Sequence, residues 1–233
     1  MKREEIEQFL KSYEQTAQHI ERVCQGRTTL SENNPTIYIA SRIKTVDSAM
    51  NKLLKKELTL DEIDKLTDIA GVRIVVRFVQ DIPKVCEMIR ASGLNIVEER
   101  DYIDKVHKKS GYRAYHFIIN YEGKFAEIQI RTYIMNFWAE LEHSIRYKPE
   151  YPITDEIRKK LSKTSEYAHK FDEICSELYE AALEKTEDNG TMEVLEVLSG
   201  NLKYASKFIK ASIYLNNIKF EMNKIRNEII ECA

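Results

Sequence analysis

Glycine is scarce, with seven in 233 residues, and none falls in a GxxxxGK(S/T) or GxGxxG array. A backbone loop that cradles phosphates is therefore missing, and a nucleotide bound here must be held by side chains. The four cysteines, Cys24, Cys86, Cys175 and Cys232, lie far apart and make no CxxC pair, which argues against a zinc site and a disulfide framework. No stretch approaches the roughly 18 apolar residues of a membrane span. The start, Met1-Lys-Arg-Glu-Glu5, lacks the apolar run of a secretory signal. The expectation is a cytoplasmic, reduced chain. Charge of one sign is lacking too: Lys+Arg 36 nearly cancels Asp+Glu 38, so no global basic field marks a partner of long nucleic acid.

What is present sorts into three regions: 1–35, 36–150 and 151–233. In the first, Ile6, Phe9, Leu10, Tyr13, Ala17 and Ile20 recur at spacings of three and four, which predicts one helix over 1–30 before a Ser/Thr/Asn-rich loop. In the second, Val-, Ile-, Phe- and Tyr-rich runs predict strands at 37–44, 71–78, 94–102, 114–121 and 124–132. Helices fit 47–58, 82–92 and 133–147, and Tyr121-Glu-Gly-Lys124 reads as a tight hairpin. The third region is helical. Ile157, Leu161, Thr164, Ala168, Phe171, Cys175, Leu178 and Ala182 repeat by threes and fours, as do Leu195, Leu198, Leu202, Ala205 and Ile209 after Asp188-Asn-Gly190. Such helices suit self-association or packing within one subunit.

Four polar clusters stand out against this frame. Arg42 and Lys44 share a face if 37–44 is a strand, and Ser48, Lys52 and Lys55 line the side of the next helix opposite Val46, Met50, Leu53 and Leu54. These cations are either a solvated basic face or a grip on a triphosphate. Asp68 enters a strongly apolar strand in which Arg73 and Arg77 share one face and Val72, Ile74, Val76 and Phe78 the other. A carboxylate there can bind Mg²⁺ beside substrate phosphates, or serve as a turn residue. Glu127, Gln129 and Arg131 form a polar stripe opposite Ala126, Ile128 and Ile130. On an inner strand such a stripe is a salt-bridge network or functional, and with Asp68 it supplies two carboxylates for metal-assisted phosphoryl chemistry. Finally, Gly111 permits a turn that presents Tyr112 for base stacking near Lys108, while His116 alone is an ordinary packed histidine as readily as an acid or base. The stripe Ile134, Phe137, Trp138, Leu141 reads as core.

Tyr38-Ile-Ala-Ser-Arg-Ile-Lys44, Asp68-Ile-Ala-Gly-Val-Arg-Ile74, Gly111-Tyr-Arg-Ala-Tyr-His116, Glu127-Ile-Gln-Ile-Arg-Thr132 and Asn136-Phe-Trp-Ala-Glu-Leu-Glu-His143, in this order, closely resemble the RelA/SpoT synthetase domain over roughly 36–148. The N-terminal helix and the long helix after Pro152 resemble those of small, single-domain alarmone synthetases, a likeness that fades from about residue 190. The resemblance implies an α+β, nucleotidyltransferase-like fold: a mixed sheet of about five strands flanked by helices, with an N-terminal helix and long C-terminal helices. It implies Mg²⁺-dependent transfer of pyrophosphate from ATP to the 3′-hydroxyl of GDP or GTP, in a homotetramer. By similarity, Arg42 and Arg73 would sandwich adenine, Lys44, Ser48 and Lys52 would hold the ATP phosphates, and Asp68 and Glu127 would hold Mg²⁺. Glu127 would also activate the hydroxyl; Tyr112 would stack on guanine, with Lys108, His116 and Gln129 positioning the acceptor. The chain departs from the family pattern at His107-Lys-Lys-Ser110, where Pro-Lys-x-Asn is common, and at Ala114, where Ser is usual; both fall in the acceptor loop. Two rival readings are transfer to the 3′ end of tRNA, as in toxic relatives, and a catalytically dead helical assembly module. Alarmone hydrolysis is not expected, because no histidine is followed by Asp and no room for a hydrolase domain precedes residue 36.

Overall fold

The computed structural model describes residues 3–29, 34–103, 111–146 and 154–184. These fall into two compact units, one within 1–105 and 114–132, the other within 106–113 and 133–233. In the first unit, helices α1 (Arg3–Lys11) and α2 (Glu14–Thr29) precede strand β1 (Thr36–Ile43), helix α3 (Val46–Lys55) and a 3-10 turn (Leu60–Lys65). Strand β2 (Ala70–Val76), helix α4 (Asp81–Arg90) and strands β3 (Ile96–Asp101), β4 (Tyr115–Tyr121) and β5 (Lys124–Thr132) complete it.

The sheet runs in the order β1-β2-β5-β4-β3. Its central pair, β2 and β5, is parallel, and every other pair is antiparallel. One face is the core: Val72, Ile74, Val76, Ile128, Ile130, Phe117 and Ile119 are buried there. Helices α2 and α4 pack on the sheet and on each other. They bring buried Ile20, Cys24, Val85 and Ile89, of which each isoleucine or valine contributes about 1.5–3 kcal/mol on burial. Because strand side chains alternate, the polar residues Arg73, Glu127, Gln129 and Arg131 fall on the opposite face, together with buried Val75 and Ile118. The hairpin between β4 and β5 turns on Glu122 (φ 51°) and Gly123 (φ 81°), two left-handed residues as a twist-matched two-residue turn requires.

Several expectations change in detail. The predicted single N-terminal helix is broken at Ser12 and Tyr13, where the Tyr13 N–H bonds to the Leu10 carbonyl at 3.1 Å. The Ser12 hydroxyl, which donates to the Phe9 carbonyl at 2.7 Å, competes with the backbone there. The buried side of α3 is Ala49 and Leu53; Met50 (38%) and Leu54 (75%) are exposed, since both lie about a third of a turn from that line. Strand β2 ends at Val76, so Arg77 stands outside it. Instead the Arg77 N–H bonds to the Pro35 carbonyl at 3.2 Å.

The second unit is built on helices α5 (Tyr133–Arg146) and α6 (Asp155–Glu184). Trp138 packs on Ala168, and Leu141 and Ile145 pack on Leu161. The Trp138 indole N–H donates to the Leu161 carbonyl at 3.3 Å, which satisfies its one buried polar atom. Phe137, expected in this core, is 41% exposed, while Met135 is buried instead. The repeat Leu195 to Ile209 lies outside the described residues. Gly111 has a φ of 75°, and a Cβ there would sit 2.8 Å from the Ser165 Cβ. The Ser165 hydroxyl donates to the Gly111 carbonyl, which draws α6 against this backbone. Gly111→Ala therefore combines left-handed strain with a clash and should cost about 2–4 kcal/mol. Urea unfolding measures it, and an unchanged midpoint would contradict this account.

Candidate active site

The polar face of the sheet follows from its register. Arg42 lies opposite Gly71, Gly71 opposite Glu127, and Arg73 opposite Gln129. Gln129 faces His116 across β4, and His116 faces Arg100 across β3. Two adjacent rows thus cross the sheet on the side away from α2 and α4, one through Arg42, Gly71 and Glu127, the other through Arg73, Gln129, His116 and Arg100. Arg42 and Arg73 are diagonal neighbours on β1 and β2, about 7–8 Å apart. The Arg42 side chain lies over Gly71, where a Cβ would meet its Cγ and Nε at 3.6 Å.

Asp68 sits in the turn just before β2. Its Oδ2 accepts from the Lys44 ammonium at 2.8 Å and the Lys52 ammonium at 2.6 Å. Lys44 reaches it because its N–H pairs with the Ile69 carbonyl at 2.9 Å, one step beyond the end of β1. Lys52 arrives from α3, whose first turn is capped by Thr45. The Thr45 Oγ1 accepts from the Ser48 N–H at 3.3 Å and donates to the Ser48 hydroxyl at 2.9 Å. Burial pushes the Asp68 carboxyl up, but the two ammonium groups outweigh it and hold the group below its ordinary value. Its second oxygen, Oδ1, is buried with no hydrogen-bond partner. A buried carboxylate oxygen without a partner is costly, and it is the atom a cation would satisfy.

Glu127 is fixed from two sides. Its Oε1 lies 3.0 Å from His116 Nδ1, and its Oε2 accepts from Gln129 Nε2 at 2.6 Å. Gln129 Oε1 in turn accepts from Arg131 Nη2 at 2.5 Å. The His116 ring meets Tyr102 edge to face, with centroids 5.2 Å apart. Burial raises the Glu127 pKa and the Asp68 charge adds to this, yet the bonds from His116 and Gln129 leave it lowered. The two carboxylates are thus near enough to feel each other and both remain ionised at neutral pH.

Of the residues singled out by sequence, Arg42, Lys44, Ser48, Lys52, Asp68, Arg73, His116, Glu127 and Gln129 all belong to the first unit. Tyr112 belongs to the second, half-buried beside the Trp138–Ala168 pair, and Lys108 lies outside the described residues. Two contributors had no role assigned. Gly71 carried a signal as an isolated glycine in a strand pattern, which often marks a close approach. Arg131 was visible only as the end of a polar stripe, since its partner depends on how the Gln129 amide points. Among the described residues no three His, Cys, Asp or Glu side chains form a metal cluster. No helix there is long and apolar enough to cross a membrane.

A helix-backed mixed sheet whose opposite face carries arginines and a carboxylate, with a lysine-held aspartate at its edge, defines a nucleotidyltransferase-like domain without a phosphate loop. The chain matches the region found in RelA / SpoT proteins over residues 41–151. It is 39% identical over 185 residues to GTP pyrophosphokinase YjbM of Bacillus subtilis, covering 74% of this chain and 87% of that protein. The crystal structure of small alarmone synthetase 1 from Bacillus subtilis aligns with a TM-score of 0.69 at 38% identity, over 77% of this chain and 98% of that one. A second crystal structure of that synthetase, bound to its product pppGpp, aligns at 0.68 and 37% identity over 76% and 98% of the two chains. This chain belongs to the RelA/SpoT family.

Proposed function

We propose that this chain is a GTP pyrophosphokinase that makes ppGpp and pppGpp by moving pyrophosphate from ATP to the 3′-hydroxyl of GDP or GTP. The observation that carries the reading is Asp68: a carboxylate gripped by Lys44 and Lys52, with one buried oxygen unpartnered, on the same sheet as ionised Glu127. Mg²⁺ fits this donor set, because that ion is commonly held by one or two carboxylates together with substrate phosphates. When bound it would neutralise charge on the transferring phosphates. Asp68 and Glu127 are the residues that would hold it.

The chain's own groups do the rest. Arg42 and Arg73, diagonal neighbours on β1 and β2, take the adenine between their guanidinium planes. Lys44, Lys52 and the Ser48 end of α3 turn toward the ATP phosphates, the lysines exchanging part of their contact with Asp68 for phosphate oxygen. His116 and Gln129 orient Glu127, which accepts the proton of the attacking 3′-hydroxyl. Catalysis is then mostly alignment and charge neutralisation, as phosphoryl transfer generally requires. Tyr112 and Lys108 are assigned by resemblance to the guanosine nucleotide. Residues 36–150 are the synthetase segment, between additions at 1–35 and 151–233. The protein is cytoplasmic and assembles as a homotetramer, which light scattering on an eluting peak tests.

The deciding experiment incubates purified protein with Mg²⁺, ATP labelled in its β- or γ-phosphate, and GDP, GTP or tRNA. Label is expected on GDP or GTP. Label on tRNA instead would move the acceptor assignment to the toxic relatives, and label on none would sink the enzyme reading.

The acceptor side has its own test. Tyr112→Ala should raise KM for GDP or GTP about ten- to a hundredfold, the scale of base–aromatic stacking, with KM for ATP unmoved. Tyr112→Phe should be nearly silent. Because the ring is half-buried beside Trp138 and Ala168, some loss of melting temperature accompanies the alanine. Equal loss of affinity for both nucleotides would make Tyr112 a packing residue only.

A further inference from the structure

The amide of Gln129 sits between a group that can only accept and a group that can only donate. Glu127 is an ionised carboxylate, and its Oε2 takes the Gln129 Nε2 hydrogen at 2.6 Å. The Arg131 guanidinium has no acceptor at all, and its Nη2 donates to Gln129 Oε1 at 2.5 Å. The two ends of a glutamine amide have nearly the same shape, so its direction is set by neighbours alone. One direction makes two charge-assisted bonds; the flipped one sets oxygen against the Glu127 carboxylate and NH₂ against the guanidinium. Arg131 is only 3% exposed, so water cannot readily replace it as the donor. Its charge also polarises the amide and strengthens the N–H bond that Glu127 receives.

We infer that Arg131 is a positioning residue for the transfer reaction, locking the Gln129 amide so that Glu127 is held in one orientation beside His116. This rests on the proposed role of Glu127, which it deepens. Arg131 lies two residues past Gln129 and four past Glu127 on β5, so it acts down the strand through the amide between them. With the lock removed, Gln129 samples both directions, and in the wrong one Glu127 loses a donor and gains a repulsive oxygen.

The test is a cycle of Arg131→Met, Arg131→Lys, Gln129→Met and the double variant Arg131→Met/Gln129→Met, each checked for an intact melting transition. Arg131→Met should lower kcat about ten- to a hundredfold, the usual effect of losing a group that orients a reactive carboxylate, with KM for ATP within about twofold. Arg131→Lys keeps a cationic donor and should recover most of that loss. In the Gln129→Met background, Arg131→Met should add almost nothing, because the amide it acts through is gone. A full further loss in that background, or no rescue by lysine, overturns the inference. If Arg131→Met does not fold, Arg131→Lys and the side-chain amide spectrum still decide. In the wild type the Gln129 NH₂ resonances should be shifted and slow to exchange, and a spectrum like that of a free glutamine amide would refute the lock. Wild-type protein that transfers no label to GDP or GTP would instead defeat the proposed function, and the positioning role with it, even with a locked amide in the spectrum.

Discussion

Glu127→Gln lowers turnover in pyrophosphate transfer by at least about a hundredfold, the range expected when a general base is lost, while ATP and GDP still bind. The substitution keeps the shape of the side chain but removes the charge on which proton acceptance and cation binding depend. It also upsets a set of bonds that needs two acceptors. Glu127 meets His116 Nδ1 with one oxygen and Gln129 Nε2 with the other. A glutamine at 127 offers one oxygen and one NH₂, and Gln129 is held by Arg131, so the NH₂ turns to His116. His116 must then accept at Nδ1, which fixes the other tautomer and is visible in its ring nitrogen shifts. Single-turnover assays measure the loss. A variant keeping more than about a tenth of wild-type turnover, a loss of only ~1.4 kcal/mol, would remove Glu127 from the catalytic role.

Asp68→Asn should have an effect of the same order on turnover and, unlike Glu127→Gln, a clear cost in stability. The substitution leaves the Lys44 and Lys52 ammonium groups beside each other without the carboxylate that both contact at under 3 Å. Lys44 is only 15% exposed and Lys52 32%, so water screens one poorly and the other in part. The expected loss is about 2 kcal/mol, less than the cost of breaking a fully buried pair. The pH dependence gives an independent reading. The Asp68 carboxyl is held below its ordinary value in the folded protein, so its stabilisation is complete above the unfolded-state pKa of about 3.9 and is lost as pH falls through the lower folded value. Chemical denaturation of wild type across that acid window should therefore show a decline that Asp68→Asn lacks. Identical acid slopes would mean that the two lysines do not stabilise the ionised form.

The candidate site was legible where residue type and strand period are enough. The alternation of Glu127, Gln129 and Arg131 against Ala126, Ile128 and Ile130 put the polar stripe on one face, because a strand has no other way to arrange them. Asp68 at the entry to β2 was likewise readable. The partner of each polar group was not. Nothing in the order of residues says that Lys44 and Lys52, eight positions apart and on different elements, converge on one oxygen of Asp68. Nor does it say that the other oxygen is left buried and alone. The same limit appears in α3, where a 3.6-residue period allows several apolar stripes. The choice of Ala49 and Leu53 over Met50 and Leu54 came from the neighbours against which the helix packs.

By itself the sequence determined the five strands, the hairpin at Glu122 and Gly123, and the inventory of cations and carboxylates, because these depend on local periodicity and turn chemistry. The tertiary structure decided the strand order β1-β2-β5-β4-β3 and with it the register that sets Arg42, Gly71, Glu127, Gln129 and His116 in adjacent rows. It also decided that Asp68, in its turn before β2, is held by two lysines, and that Arg131 donates to the Gln129 amide. Those outcomes depend on contacts between residues far apart in the chain, which packing and electrostatics select only once the sheet has formed.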